Sequence, residues 1–154
     1  MSAYGVLQVR GEVNQSGEVR DTLDMLNLGN VNHFTIVPDE DSYRGMVFKV
    51  NDYVAYGEPD SDTVALLLRE RGETPEGEAV DDDHVDAESE YSDVDSLAEA
   101  LVEGETTLRD AGLSPTIRLH PPRKGHDGVK KAASEGGVLG YHGDDLDELL
   151  RRMH

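Results

Sequence analysis

The chain has 154 residues, of which 36% are hydrophobic and 5% aromatic, a composition that suits one domain with a modest core. Its 33 acidic against 14 basic residues give a formal net charge of −19, and the absence of cysteine excludes disulfide frameworks and thiolate metal sites and fits a reducing cytoplasm. No apolar run is long enough to span a membrane, and residues 1–11 lack the basic flank and apolar run of a signal peptide.

The acidic excess is unevenly distributed along the chain. Residues 58–112 hold 19 acidic and 3 basic residues, whereas residues 113–131 hold 1 acidic and 5 basic residues. Only four basic residues are lysines, and abundant Asp and Glu with few Lys indicate adaptation to multimolar salt. At about 1 M salt the Debye length is only ~3 Å, so the net charge does not exclude a polyanionic partner. The asymmetry predicts two faces with different neighbours.

The first 57 residues predict alternating strands and helices. Apolar and β-branched runs bounded by turn residues indicate strands, and Ser16 can cap a helix that Gly29 and Asn30 end. This order predicts a small antiparallel sheet with helices on one face, an α+β arrangement. The predicted elements are a strand at Tyr4–Arg10, a helix at Ser16–Leu28, a strand at His33–Val37, a polar turn at Asp39–Tyr43, an ambiguous segment at Gly45–Asn51 and a strand at Tyr53–Tyr56.

The remainder of the chain predicts helices, one strand and two irregular segments. Leucines at i, i+3, i+4 spacing indicate a terminal helix, and low hydrophobic content indicates a solvated loop in the acidic segment. The predicted elements are a helix at Ser61–Arg71 capped by Ser61, a loop at Glu73–Asp95, one broken or two short helices at Asp95–Gly112, a strand at Thr116–Leu119, an irregular stretch at Pro121–Gly140 and a helix at Asp144–Met153.

The sequence gives no indication of catalysis, metal binding or a cofactor. Asp81–Asp83 lacks the spacing of a calcium loop, and Gly125–Lys131 does not fit a phosphate-binding loop because Ala132 follows. Neither a G-x-S-x-G turn nor a cysteine nucleophile is present. Candidate metal ligands lie in a Gly- and Pro-rich region without paired spacing, so polar loop residues are the better interpretation; they are His120, His126, His142 and Asp127.

One cluster of cationic and potentially cationic residues predicts contact with a polyanion. Arg and Lys bind phosphates, and intervening glycines permit close backbone approach. The alternative is a chance cluster on a solvated loop. In molar salt little counterion-release energy remains, so a binder must rely on shape, hydrogen bonds and close packing. The cluster comprises Arg118, His120, Arg123, Lys124, His126, Lys130 and Lys131.

Several motifs together resemble one known family. They are RGEVN (10–14), DTLDMLNL (21–28), VNHFTIVP (31–38), YRGMVFKVNDYVAYGEP (43–59), SPTIRLHPPRKGHDGVKK (114–131) and EGGVLG (135–140). The chain resembles universal large-subunit ribosomal protein thirty in its archaeal form. The resemblance covers nearly the whole chain, apart from the acidic stretch at 73–95.

The resemblance implies an α+β fold with a ferredoxin-like β-α-β-α-β core over 1–57, in which Gly45–Asn51 is the second helix. A helical acidic insertion over 58–112 and a C-terminal strand, basic loop and helix over 113–154 complete the predicted architecture. Family RNA contacts would map onto Arg10, Asn32, His33, Arg44, Gly45, Lys49, Asn51, Arg118, His120, Arg123, Lys124, Gly136 and Gly137, and the basic cluster adds His126, Lys130 and Lys131 as RNA-binding candidates.

The predicted function is that of a structural, non-enzymatic constituent of the large subunit of a haloarchaeal cytoplasmic ribosome. Its expected partners are large-subunit ribosomal RNA and neighbouring ribosomal proteins, with no membrane, cofactor, metal or small-molecule substrate. The alternative is a halophilic acidic adaptor that binds another protein, which would purify free of nucleic acid. A small hydrolase would need a nucleophile constellation that the sequence lacks.

Overall fold

The computed structural model describes residues 3–11, 17–120, 139–143 and 146–153. Five strands and six helices are assigned in these ranges. In chain order they are β1 (Ala3–Gln8), α1 (Gly17–Met25), β2 (His33–Pro38), α2 (Asp41–Lys49), β3 (Val54–Gly57), α3 (Ser61–Arg71), α4 (Asp82–Glu88), α5 (Val94–Val102), β4 (Ile117–Arg118), β5 (Gly140–Gly143) and α6 (Leu146–Arg151).

The strands form one mixed sheet in the order β4-β2-β1-β3-β5. The central strand β1 pairs antiparallel with β2 and with β3, and β4 pairs antiparallel with the outer side of β2. The edge strand β5 runs parallel to β3. The α+β class and the β-α-β-α-β core are therefore confirmed, but the sheet is mixed and not wholly antiparallel.

Helices cover both faces of the sheet, whereas the sequence predicted only one covered face. Alternate residues of β1 point to opposite sides. Val6 packs with α1 and α2 through Leu23 and Val47. Leu7 packs on the other face, in a larger cluster to which α3, α5 and α6 contribute residues such as Leu101 and Leu150. The larger cluster thus joins residues of all three predicted segments, and the division into three segments stays a prediction.

Helix α2 begins earlier than the sequence indicated. The segment Asp41–Tyr43 was predicted as a turn, but it forms the first turn of α2, and Arg44 and Gly45 lie inside the helix. Buried Val47 and Val50 hold α2 against the sheet. This tertiary packing fixes a helix whose first turn has little apolar character.

The loop predicted at Glu73–Asp95 was wrong over residues 82–88, which form α4. Val85 is fully buried in the larger cluster, and the Asp82 carboxylate accepts a hydrogen bond of 2.9 Å from the Val94 backbone N–H. The Arg69 guanidinium lies 3.5 Å from Asp82 and 3.2 Å from Asp95. One apolar contact and several local polar contacts therefore hold α4 in place without the hydrophobic run that would have predicted it.

Aspartates cap the three helices of the acidic segment. A carboxylate that accepts from backbone N–H groups of the first turn satisfies donors that have no partner within the helix. Asp60, and not Ser61, caps α3. The cap distances are 2.7 Å for Asp60–Thr63, 2.8 Å for Asp81–His84 and 2.8 Å for Asp93–Ser96. Part of the acidic excess thus has a structural role.

The strand predicted at Thr116–Leu119 is β4, and the terminal helix was also predicted, but β5 was not. Gly57 of β3 allows β5 to approach, because a side chain there would collide with the Gly143 backbone. Helix α6 then packs Leu146 and Leu150 into the core, and Met153 is also fully buried. No helix among the described residues is long and apolar enough to cross a membrane.

Replacement of Val85 by Ala tests whether α4 is a packed element. We expect the free energy of unfolding to fall by about 1–2 kcal/mol, because two buried methyl groups are lost at roughly 0.8 kcal/mol each. Urea unfolding at constant molar salt measures this change. Asp86→Ala on the exposed face of the same helix serves as the control, and an equally small effect of both changes would contradict packing by α4.

Candidate nucleic-acid interface

Strand pairing brings several predicted RNA-binding residues to one end of the sheet. Here β1 and β4 finish while β2 and β3 begin. His33 pairs with Arg118, and the Asn32 backbone N–H donates to the Gln8 carbonyl at 2.8 Å. We call this region the basic end; it contains Arg10, Asn32, His33, Asn51, Arg118 and His120.

Arg10 is held against the turn that precedes β3. Its guanidinium carbon lies 5.2 Å from the centroid of the Tyr53 ring, and its Nη1 donates to the Asp52 carbonyl at 3.4 Å. The Arg10 backbone N–H donates to the Tyr53 carbonyl at 3.1 Å. A guanidinium stacked on a ring keeps its planar set of donors in a fixed direction, which suits recognition of phosphate.

Asn32 joins three strands through its backbone. It adopts the left-handed conformation with φ of 70°, which Asn tolerates better than most residues. Its N–H donates to β1 at Gln8, and its carbonyl accepts from the Leu119 N–H at 3.0 Å, just after β4. Within the described part of the chain its buried side-chain Oδ1 accepts no hydrogen bond. Asn32 therefore fixes the position of the neighbouring His33 and Arg118.

His33, Arg118 and Glu73 form an electrostatic group at the basic end. Arg118 donates to Glu73 Oε1 from Nε at 2.9 Å and from Nη2 at 2.5 Å, while about two thirds of its side chain stays exposed. Burial lowers the pKa of His33, the charge of Arg118 lowers it further, and Glu73 acts in the opposite direction. His33 is therefore neutral near pH 7, and Arg118 is the fixed positive charge of the group.

Three further predicted residues lie on α2, and one of them is distant from the basic end. Arg44 Nε lies 3.1 Å from Asp39 Oδ1, and its Nη2 pairs with Asp41, beyond the opposite end of β2. Gly45 is exposed, and a Cβ added there would meet no described atom within 4 Å other than its chain neighbours and the backbone of its own helix. Lys49 Nζ lies 2.5 Å from Glu18 Oε1, near the turn into β3. The structure thus does not bring Arg44 together with the basic end.

The remaining candidates lie outside the described residues; they are Arg123, Lys124, His126, Lys130, Lys131, Gly136 and Gly137. The two described residues that bracket this part of the chain are His120 and Leu139. His120 follows β4 at the basic end, and Leu139 precedes β5, whose first residue pairs with Ala55 at the beginning of β3. Both brackets therefore lie at the basic end.

Comparison with known proteins identifies the family. Residues 4–54 match the family described as ribosomal protein L30p/L7e. The chain is 57% identical to large ribosomal subunit protein uL30 of Natronomonas pharaonis, over 96% of this chain and 97% of that protein. The proteins of the same name from Haloarcula marismortui and Methanoculleus marisnigri are 54% and 48% identical, each over 97% of this chain and 99% of the relative. The chain belongs to the uL30 family. The resemblance to its archaeal form is thereby confirmed.

Sequence reasoning missed the two aromatic residues of this uL30 chain that flank its candidate site. Tyr53 supports Arg10, and Phe48 of α2 is 70% exposed. The sequence could have indicated an exposed Phe48. Met46, Val47 and Val50 share one helical face, and Phe48 falls outside that apolar face. The sequence carried no such indication for Tyr53 and Glu73, because their contacts with Arg10 and Arg118 join distant parts of the chain.

The described part of the chain holds no group of candidate metal ligands. Among the described residues, no three His, Asp or Glu side chains are grouped so that they could hold a metal ion. Of the predicted candidate ligands, His126 and Asp127 lie outside the described residues. The uL30 family is structural and non-enzymatic, which agrees with the predicted absence of a catalytic site.

The exposed position of Gly45 gives a prediction about α2. Gly45→Ala should raise the stability of the free protein by up to about 1 kcal/mol, because Gly is the poorer helix former and the site is open. Gly45→Val should leave the circular dichroism spectrum unchanged yet reduce docking on large subunits if RNA approaches this backbone closely. A Val variant that unfolds would contradict the open environment of Gly45.

The lowered pKa of His33 gives a prediction about pH. His33 binds a proton more readily in the unfolded chain than in the folded one. Neutral His33 therefore contributes fully to the free energy of unfolding above the ordinary histidine pKa. That contribution is lost as the pH falls through about 6.5 toward the lowered pKa. Urea unfolding at pH 7.5 and 5.5 should therefore show that the free energy of unfolding falls less with pH in His33→Gln than in the unaltered protein. An identical loss would contradict the environment assigned to His33.

Proposed function

We propose that this chain is a structural constituent of the large subunit of the cytoplasmic ribosome and that the basic end is its main contact with large-subunit ribosomal RNA. The supporting observation is the convergence at one end of the sheet of Arg10, Asn32, His33 and Arg118. The described residues on either side of 121–138 are His120 and Leu139, and both lie at the same end. A single docking surface would therefore combine contacts from the basic end with contacts from residues 121–138.

The basic end suits binding at high salt. Screening removes most of the long-range attraction between cations and phosphates, so contacts must be short and preformed. Arg10 is stacked on Tyr53, and Arg118 is held by Glu73. Side chains positioned before binding lose less conformational entropy when they dock. RNA shape, sugar hydroxyls and phosphates are the features such a surface would recognise.

The acidic helices would face away from the RNA. Helices α3, α4 and α5 lie in the segment that holds 19 acidic residues, and they pack on the sheet face opposite α1 and α2. A surface of this charge repels phosphates and stays hydrated in molar salt. In this proposal the exposed surfaces of α3, α4 and α5 form the solvent side of the protein, and neighbouring ribosomal proteins are further partners.

The acidic adaptor alternative is not supported. The relatives match nearly the whole chain, including the acidic segment, and each is named a large ribosomal subunit protein. If the chain were an adaptor, its function would differ from that of relatives that are more than half identical to it over nearly its whole length.

Co-sedimentation tests the proposal. The chain, expressed in a haloarchaeal host and centrifuged in molar salt, should sediment with large subunits and retain ribosomal RNA after gentle purification. Recovery at the top of the gradient, free of nucleic acid, would contradict the proposed function.

A further inference from the structure

Three tyrosines form a row at the end of the sheet opposite the basic end. Tyr4 of β1 and Tyr56 of β3 have ring centroids 6.0 Å apart at an interplanar angle of 84°. Tyr56 and Tyr141 of β5 have centroids 5.5 Å apart at 51°. The strands that carry them are neighbours in the sheet, so the three rings lie on one face.

Carboxylates accompany this row. The Tyr141 hydroxyl donates to Glu58 Oε2 at 2.8 Å. Asp39 follows Pro38, which pairs with Ala3, and Glu58 follows Gly57, which pairs with Gly5, so both acids lie beside Tyr4 in the sheet. Burial raises the pKa of Tyr4, and the negative charges of Asp39 and Glu58 raise it further. Arg44 is the cation beside Tyr4, and it is paired with Asp39 at 3.1 Å and with Asp41. The local charge is therefore negative.

The row is accessible at the edge of the sheet. Tyr141 is 51% exposed, Tyr4 and Tyr56 are partly exposed, and β5 is an edge strand. The faces of aromatic rings attract cations, and nearby carboxylates strengthen that preference. The same carboxylates repel phosphate groups. This end of the molecule thus has the chemistry of a cation-binding surface and differs from the basic end.

We propose that this tyrosine–carboxylate surface, formed by Tyr4, Tyr56, Tyr141, Asp39 and Glu58, docks an arginine- or lysine-bearing segment of a neighbouring protein in the large subunit. The inference rests on the proposed function, because it places the chain in a subunit with its basic end on RNA. It adds a second interface, at the opposite end of the sheet, and the chemical class of its occupant.

High salt favours this kind of contact over a simple ion pair. At about 1 M salt the Debye length is ~3 Å, so the attraction within an exposed ion pair is strongly weakened. A guanidinium or ammonium stacked on tyrosine rings also buries its hydrocarbon stem, and this apolar contribution is not removed by screening. Two tilted rings beside a carboxylate therefore suit an arginine or lysine side chain at the salt concentration that the composition indicates.

Photo-cross-linking in assembled large subunits tests the proposal. The full chain would carry p-azidophenylalanine in place of Tyr141 or, as the matched probe, of Val31, which is 42% exposed beside Asn32 of the basic end. We expect the probe at 141 to link to an arginine- or lysine-bearing segment of another ribosomal protein, and the probe at 31 to link to ribosomal RNA. Links from 141 to RNA, to segments without cationic residues, or to nothing would overturn the inference.

A second set of variants separates this inference from the proposed function. In the chain with the probe at 141, Tyr56→Leu should lower the cross-link yield about fivefold, the effect of losing one cation–ring contact. Glu58→Gln should also lower the yield, because it removes a negative charge beside the rings. Glu99→Gln, an exposed acid of α5, should leave the yield unchanged. Equal yields in all variants would overturn the docking role. In the separate chain that carries the probe at 31, absence of cross-links to ribosomal RNA would instead contradict the proposed function.

Discussion

Joint replacement of Arg10 and Arg118 by alanine is expected to reduce incorporation of the chain into large subunits by about 100-fold. Each guanidinium donates hydrogen bonds to phosphates in our proposal, and a hydrogen bond to a charged group contributes about 1.5–3 kcal/mol, or roughly tenfold or more in affinity. Competition between tagged variant and unaltered chain during subunit reconstitution in molar salt measures the effect.

The matched control replaces Arg69 and Arg151 by alanine. Both side chains are exposed and lie near carboxylates, Arg69 near Asp82 and Asp95 and Arg151 near Asp60, but neither belongs to the basic end. We expect near-normal incorporation of this control. Urea unfolding of both double variants separates lost binding from lost stability, and equal incorporation of the two would contradict RNA docking through the basic end.

Removal of salt should unfold the acidic helices before the centre of the sheet. The net charge is −19, and the Debye length grows from ~3 Å at 1 M salt to ~30 Å at 0.01 M, so repulsion within residues 58–112 becomes large. Helix α4, which buries only Val85, should lose hydrogen-exchange protection first. Helices α3 and α5 should follow, and β1 and β2 should be last.

Two outcomes would contradict this order. Full protection at 0.01 M salt would refute the salt requirement, and uniform loss at one concentration would indicate a single cooperative unit. A variant with Asp83→Asn, Asp86→Asn and Glu88→Gln removes exposed charges that cap no helix. It should keep α4 protected at lower salt than the unaltered chain does.

The core strands and the terminal helix were predictable because local pattern and tertiary packing agree. Val6, Leu7 and Val9 in the run at Tyr4–Arg10 are buried as the pattern indicated, and so are the leucines of α6. Helix α4 was missed because one buried valine, Val85, gives no periodicity. Strand β5 was missed because Gly140 and Gly143 disfavour strands, and its place depends on the distant Gly57.

The residue types of the candidate site were predictable, but their grouping was not. The motif that contains Arg44 and Lys49 reads as one unit in the sequence, yet Arg44 pairs with Asp39 beyond the far end of β2. Arg10 and His33 lie at the same end of the sheet only because β1 and β2 are antiparallel, and Arg118 is brought to that end by the pairing of β4 with β2. Long-range pairing of this kind depends on the whole sheet and leaves no local pattern.

Directed hydroxyl-radical cleavage in assembled large subunits tests the orientation of the protein most directly. The chain has no cysteine, so one cysteine introduced at Asp52, which contacts Arg10 of the basic end, or at Glu99 of α5 gives a unique attachment point for an iron chelate. We predict strong cleavage of large-subunit ribosomal RNA from position 52 and little from position 99. Cleavage from position 99 that equals or exceeds cleavage from position 52 would contradict docking through the basic end.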